Sequence, residues 1–154
     1  MDISAFFTRL NRPIVWLLRS PLHALADPGL MLVTVTGRRT GRRYTIPVGY
    51  QQDGDRIVVL VSKARTKNWW RNFREPGPIE VRLRGRDLTG TARVIEAGSP
   101  AYFAAFDKTL SQMPWLGQQF GIPGYVRAAA FDDAQKAALA RENAAVEITL
   151  DPAR

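Results

Sequence analysis

Residues 30–50 read LMLVTVTGRRTGRRYTIPVGY, two strand-like stretches joined by a loop that contains four arginines. The first stretch, Leu30–Thr36, is apolar enough for a central strand. In the second, Tyr44–Tyr50, Pro47 lacks a backbone donor, which predicts an edge or bulge position. The basic loop, residues 37–43, has two glycines that allow a tight turn with exposed N–H groups. It is either a solvated turn or a cradle in which arginines bind an anion.

Bulk composition indicates a single basic domain. The chain has 154 residues, 45% of them hydrophobic, which is typical of one globular domain. It contains no cysteine and only one histidine, so we expect neither a disulfide framework nor a metal site. A net charge of +8 indicates an anionic partner, which leaves nucleic acid, an anionic membrane surface and a polyanionic small molecule open. No apolar run of ~20 residues and no signal-peptide layout is present, so we expect a cytoplasmic protein.

The N-terminal residues 2–19 have the spacing of an amphipathic helix that Pro13 should kink or divide. Arginines beside aromatic residues are typical of helices at a membrane surface. Two interpretations stay open: the helix packs on the domain, or it contacts the inner face of the cell membrane. We expect residues 1–26 to form this helical segment and residues 27–154 to form the cofactor-binding domain.

The remaining pattern predicts more strands joined by hairpins. Asp53-Gly54 is a hairpin signal ahead of strand 56–62, which we expect to pair with the second strand. Residues 66–74 predict a short helix that carries Trp69, Trp70 and Phe73, with either Thr66 or Asn68 as its cap. Further strands are expected at 79–84, 87–96 and 146–150, with helices that begin at Ser99-Pro100 and Asp132-Asp133. The result is an α+β fold: about six mostly antiparallel strands in a small split β-barrel, with flanking helices.

A second basic and aromatic segment, residues 62–73, reads SKARTKNWWRNF directly after the third strand. Unpaired N–H groups at a helix start bind anions, and tryptophan rings stack on flat groups. If this segment and the basic loop meet, the combined site suits a phosphorylated aromatic cofactor. The alternative is that Trp69, Trp70 and Phe73 are core residues of an amphipathic helix.

The order of these motifs resembles the deazaflavin-dependent nitroreductase and quinone reductase family. The likeness rests on Thr-Gly-Arg-Arg-Thr-Gly-x-Arg after the first strand, a strand with a proline, an Asp-Gly-Asp hairpin, an apolar strand that ends in Ser, and Trp-aromatic-x-Asn. It covers about residues 30–94. It implies the split β-barrel of flavin reductases and pyridoxamine-phosphate oxidases.

The resemblance implies an enzyme that transfers a hydride from reduced coenzyme F420 to a quinone, nitroaromatic or similar acceptor. By position, the cofactor-binding residues would be Arg39, Thr40, Gly41, Arg43, Pro47, Ser62, Lys63, Ala64, Lys67, Trp69, Trp70 and Asn72. Candidate catalytic donors of a proton or hydrogen bond are Tyr50, Tyr102 and Tyr125. The chain departs from the family pattern at Ala64-Arg65, where members carry Gly-Gly, and at Asn68, where they carry Pro.

Other functions stay open on these residues. The same fold would serve to bind FMN, heme or a lipid without deazaflavin chemistry, since an FMN site also uses arginines and a backbone cradle. A basic barrel with exposed aromatic residues can also bind single-stranded nucleic acid. No recognisable nucleic-acid motif is present, so we expect a small-molecule partner instead. The sequence leaves monomer and homodimer open.

Overall fold

The computed structural model describes residues 3–23 and 29–152, with side chains from residue 11 onward. Its α-helices are α1 (Ile3–Arg19), α2 (Pro100–Gln112) and α3 (Asp133–Glu142). Its strands are β1 (Leu30–Thr36), β2 (Arg43–Gly49), β3 (Gln51–Asp53), β4 (Arg56–Val61), β5 (Gly77–Leu83), β6 (Arg86–Val94) and β7 (Ala144–Leu150). Short 3₁₀ helices span Ala64–Thr66, Trp69–Phe73 and Pro114–Gly117.

All seven of these strands join one antiparallel sheet, in the order β2-β1-β5-β6-β7-β4-β3. The two edge strands, β2 and β3, are separated along the chain by a single residue, Tyr50. The two edges must therefore adjoin, and β2 does contact β4 across the gap. The sheet is curled into a split barrel, which confirms the predicted fold with seven strands rather than six.

The barrel has two apolar faces, as the alternation of side chains along its strands requires. In β4, Ile57, Val59 and Val61 point into the barrel, where they join the buried side chains of β1 and β5. Val58 and Leu60 point outward and pack against α2 and the segment that follows it. Burial of each such side chain stabilises the fold by about 1.5–3 kcal/mol. One layer of strands thus separates an inner core from an outer one.

The N-terminal helix α1 is continuous through Pro13, so of the two expected effects of proline the division into two pieces does not occur. Its C-terminal half packs on the barrel, with contacts to β1 and β2. Leu18 is buried, and its carbonyl accepts a hydrogen bond of 3.2 Å from Arg82 Nε. These contacts stabilise the helix on the C-terminal side of Pro13, which lacks the backbone N–H for one helical hydrogen bond. Among the described residues, no helix is long and apolar enough to cross a membrane.

One expectation about the chain after β2 is wrong, and another is narrowed to one of its two alternatives. Strand β4 pairs with β3 and β7 rather than with β2, because the chain changes from one sheet edge to the other at Tyr50. The short helix predicted within residues 66–74 is present as the 3₁₀ helix Trp69–Phe73, so its start lies at Asn68 rather than at Thr66. Lys67 has an extended backbone (φ −119°, ψ 139°), which separates the two 3₁₀ helices at this position.

The predicted edge position of β2 and both predicted helix starts are confirmed. Ser99 Oγ accepts a hydrogen bond of 3.2 Å from the backbone N–H of Tyr102, ahead of Pro100 in the first turn of α2. Asp132 accepts from the N–H of Gln135 at 2.8 Å, and the Gln135 side chain accepts from the N–H of Asp132 at 3.0 Å. This capping box satisfies two backbone donors that the start of α3 would otherwise leave unpaired.

Candidate functional site

The two basic segments leave the same end of the barrel. Since every neighbouring pair in the sheet is antiparallel, β1, β6 and β4 all run in one direction. The basic loop follows β1, and residues 62–73 follow β4, so both begin where their strands end on that side. The sheet topology thus brings together two segments that lie about twenty residues apart in the sequence.

Asn72 connects the two segments directly. Its Oδ1 accepts a hydrogen bond of 3.0 Å from the backbone N–H of Arg38, and its Nδ2 donates to the carbonyl of Trp69 at 3.0 Å. Burial raises the pKa of Tyr44, and a side-chain hydrogen bond from Asn72 offsets part of that increase. Asn72 therefore organises the basic loop from within the protein, in addition to any contact it makes with a ligand.

The backbone of the basic loop is closed by its own hydrogen bonds. Gly37 N–H donates to the carbonyl of Arg42 at 2.8 Å, and Gly41 N–H donates to the carbonyl of Gly37 at 2.8 Å. Gly41 has a φ of +68°, a left-handed conformation that side chains disfavour. In the described part of the chain, no group accepts from the N–H of Arg39 or Thr40. These two donors remain available at the tip of a defined turn.

The four arginines of the basic loop are not equivalent. The Arg43 guanidinium forms an ion pair with Glu80 on β5, so its charge is already compensated. Arg38, Arg39 and Arg42 are exposed, and none of them pairs with a carboxylate among residues 11–23 and 29–152. The structure therefore leaves Arg39 available to a ligand and places Arg43 in a cross-strand pair.

The turn after β4 is compact and partly buried. Lys63 adopts a left-handed conformation with a φ of 50°, and Ser62 and Ala64 are buried. Lys67 folds back so that its Nζ donates to the carbonyl of Ser62 at 2.7 Å. Burial lowers the pKa of Lys67, and the charge of Lys63 lowers it further. Lys67 thus supports the turn internally.

Gln119 is a site residue that sequence reasoning missed. Its Nε2 donates to Ser62 Oγ at 3.0 Å, across 57 positions in the sequence. It lies in an irregular stretch after α2, where no periodicity predicts which side chains point inward. A polar residue in a mostly aromatic and glycine-rich stretch was the only available signal.

The two tryptophans have different environments. Trp69 is buried in the barrel core and packs edge-to-face on Phe73, with ring centroids 6.4 Å apart. Trp70 is half-buried, and its Nε1 donates to the carbonyl of Ala64 at 2.9 Å. The guanidiniums of Arg71 and Arg74 lie 5.5 and 5.3 Å from its ring centroid. Trp69 is thus a core residue, and Trp70 already stacks with cations of the chain itself.

The three candidate tyrosines are not brought together. Tyr102 is fully buried in the outer core, where its hydroxyl donates to the carbonyl of Leu139 at 2.6 Å and burial raises its pKa. Tyr125 belongs to the same outer core. Tyr50 instead lies between β2 and β3 and packs against the barrel core. Pro47, on the edge strand β2, lies opposite Leu32 of β1. Tyr102 therefore has a structural role, and Tyr50 alone of the three contacts the barrel core.

Two surface cavities border α2, at a distance from these segments in the fold. One of about 480 Å³ lies between α2 and residues 128–131, and one of about 160 Å³ lies between α2 and the β3–β4 hairpin. Neither is lined by residues of the basic loop or of segment 62–73. No group of three or more potential metal ligands occurs among the described residues. The candidate site is thus defined by the two basic segments and by Asn72.

Comparison with known proteins points to one family. The chain is 29% identical over 80 residues to an F420H(2)-dependent quinone reductase of Mycobacterium tuberculosis, a match that covers 50% of this chain and 53% of that protein. The chain thus spans about half the length of the curated relatives it matches. A second M. tuberculosis strain contains a relative with the same identity and coverage.

Solved structures support the fold. An F420-H2 dependent reductase superimposes with a TM-score of 0.55 at 16% identity, covering 79% of this chain and 95% of that one. A FAD and heme binding protein of Mycobacterium smegmatis gives a TM-score of 0.51 at 19% identity, covering 86% and 67%. Residues 21–112, which include both basic segments, match the F420H(2)-dependent quinone reductase family. The chain belongs to that family of oxidoreductases, whose name gives coenzyme F420 as the cofactor.

Proposed function

We propose that this protein uses reduced coenzyme F420 to reduce quinones, with nitroaromatic compounds as further acceptors. The observation that carries the proposal is the bond between Arg38 N–H and Asn72 Oδ1, which joins the two segments expected to bind the cofactor. Family membership supports the same cofactor. The reduced deazaflavin supplies the hydride, and the protein supplies orientation and electrostatics.

The basic loop fits the anionic part of the cofactor, its phosphodiester and polyglutamate tail. Arg38, Arg39 and Arg42 offer three exposed guanidiniums, and the N–H groups of Arg39 and Thr40 have no described acceptor. A charge-assisted hydrogen bond contributes about 1.5–3 kcal/mol, and exposure to solvent reduces that value. Several such contacts are sufficient for a micromolar dissociation constant.

The turn after β4 and Tyr50 fit the ring end of the cofactor. Register pairs Gln51 with Val58, so Tyr50 lies roughly 10 Å along β4 from Ser62. Along β2, the same tyrosine is about 20 Å from the basic loop. We therefore assign the turn and Tyr50 to the ring, and the basic loop to the tail. In this arrangement, the Tyr50 hydroxyl would donate a hydrogen bond to the acceptor as negative charge develops on it.

Mixing the purified protein separately with F420 and with FMN tests the cofactor. We expect deazaflavin fluorescence to be quenched at micromolar protein and reduced F420 to be reoxidised when menadione is added. A nitroaromatic acceptor in a parallel reaction tests the wider range of acceptors. Binding of FMN without binding of F420 would replace this proposal with the alternative that the fold binds FMN. Nucleic-acid binding that falls steeply with salt, without binding of either cofactor, would assign the charge to nucleic acid.

A further inference from the structure

Gln119 contacts the cofactor-binding turn from a part of the chain outside the family match. The match ends at residue 112, and Gln119 lies seven positions beyond it, after the 3₁₀ helix Pro114–Gly117. Its amide reaches Ser62 Oγ at 3.0 Å. The segment that contains it is anchored independently, since Asn143 Nδ2 donates to the neighbouring carbonyl of Phe120 at 2.8 Å. Gln119 is thus held in place by contacts other than the one to Ser62.

The hydrogen bonds inside this turn are local. Thr66 N–H donates to the carbonyl of Lys63 at 3.0 Å, and Lys67 N–H donates to the carbonyl of Ala64 at 3.2 Å. They shape the turn but do not fix its position on the barrel. The bond from Gln119 spans the greatest sequence separation of these contacts, and it joins the turn to the segment that follows α2.

The contact also sets the direction of the Ser62 hydroxyl. A hydroxyl has one proton and two lone pairs. Gln119 Nε2 donates to this oxygen at 3.0 Å, and Lys67 Nζ donates to it at 3.4 Å. Since both neighbours donate, the Ser62 proton is the part of the hydroxyl left to bind another group. A bound molecule would therefore meet Ser62 as a hydrogen-bond donor.

We propose that Gln119 is a positioning residue that holds the Ser62–Lys67 turn for the deazaflavin and directs the Ser62 hydroxyl proton toward it. This inference rests on the proposed function. Gln119 acts through Ser62 and not through direct contact with the cofactor. The carbonyl acceptors of a deazaflavin ring are the kind of group that such a donor would bind.

Two matched variants of the full chain test the role. Gln119→Met keeps the length of the side chain and removes its donor, whereas Gln118→Met makes the same change at an exposed neighbour. In the free protein, we expect hydrogen exchange at the amides of Thr66 and Lys67 to accelerate about 3- to 10-fold in Gln119→Met only. We expect the dissociation constant of F420, from fluorescence titration, to rise by a similar factor.

Kinetics separate positioning from a general loss of structure. In Gln119→Met, the KM for reduced F420 should rise about 3- to 10-fold, while the KM for menadione stays at the wild-type value. If wild type binds F420 and the two variants match in exchange and in F420 affinity, the inference is wrong. Faster exchange with unchanged F420 affinity also overturns it, because the turn would then move without consequence for the cofactor. Failure of the wild type to bind F420 overturns the proposed function instead.

Discussion

Asn72 joins the two halves of the candidate site, so its removal has a calculable consequence. Asn72→Leu keeps the approximate volume of the side chain but removes its bonds to the Arg38 N–H and the Trp69 carbonyl. Each bond contributes about 0.5–1.5 kcal/mol, so the pair contributes about 1–3 kcal/mol. Because Asn72 is only half-buried, we expect the lower part of this range, about 1–2 kcal/mol.

Urea unfolding measures this loss as a lower transition midpoint at an unchanged m-value. Asn68→Leu serves as the matched control, because Asn68 is exposed and, among the described side chains, it bonds to Arg71 alone, at 3.2 Å. We expect that control to lose less than about 0.5 kcal/mol. The F420 dissociation constant should rise for Asn72→Leu, because the Arg38 end of the basic loop is no longer held.

The Tyr44 hydroxyl gives an independent measurement. Burial raises the pKa of Tyr44 and the bond to Asn72 offsets part of the increase, so Asn72→Leu should raise that pKa further. Alkaline titration followed by NMR, with Tyr44→Phe to identify the signal, detects the change. Equal stability of Asn72→Leu and Asn68→Leu, with no change in the pKa of Tyr44, would refute the view that Asn72 organises the loop.

Three further predictions concern charge and pH. Arg39→Ala should raise the F420 dissociation constant about tenfold, which corresponds to about 1.4 kcal/mol of binding free energy. Arg43→Ala should raise it less, because the charge of Arg43 is already paired with Glu80. Titration calorimetry at fixed salt measures both constants, and equal effects would contradict the assignment. Burial raises the pKa of Glu147, but hydrogen bonds and charges from two arginines outweigh it and hold the pKa below its usual value. That carboxylate therefore stabilises the fold above about pH 4.5 and loses its contribution as pH falls. In Glu147→Gln, the free energy of unfolding by urea should decrease less steeply as the pH is lowered through this range. An unchanged decrease would contradict the prediction. Burial raises the pKa of Tyr102 far above 10, so its contribution to the free energy of unfolding is fully present below about pH 10. Above that pH the free energy of unfolding should fall by up to about 1.4 kcal/mol per pH unit. Tyr102→Phe should remove that slope, and a slope that persists would belong to other groups.

Local patterns predicted most of the secondary structure. Alternation placed Ile79, Val81 and Leu83 in the core, and all three are buried. Ser99 and Asp132 identified two helix starts because capping depends on residues only three positions apart. The sequence left Thr66 and Asn68 open as the start of the short helix, and the structure begins it after Asn68. Lys67 is extended and reaches back to Ser62, a contact that helical periodicity does not report.

The residue types of the candidate site were also visible in the sequence, but their roles were not. Arg39 and Arg43 are indistinguishable as letters, yet of the two only Arg43 pairs with a carboxylate, because β1 lies between β2 and β5 and brings Glu80 within reach of the Arg43 side chain. Tyr50 and Tyr102 are equally plausible donors in one dimension, but Tyr102 is enclosed by the outer core.

The sequence alone therefore predicted the strand-rich fold, the family resemblance and an anionic partner. These properties depend on periodicity, on motif order and on net charge, all of which are local or additive. Tertiary structure decided the curl of the sheet at Tyr50, the pairing of Arg43, the bridge from Asn72 to the basic loop and the contact of Gln119 with Ser62. Each of these features depends on residues that are distant in the sequence and that the fold brings together. A short-range sequence pattern contains no information about such contacts.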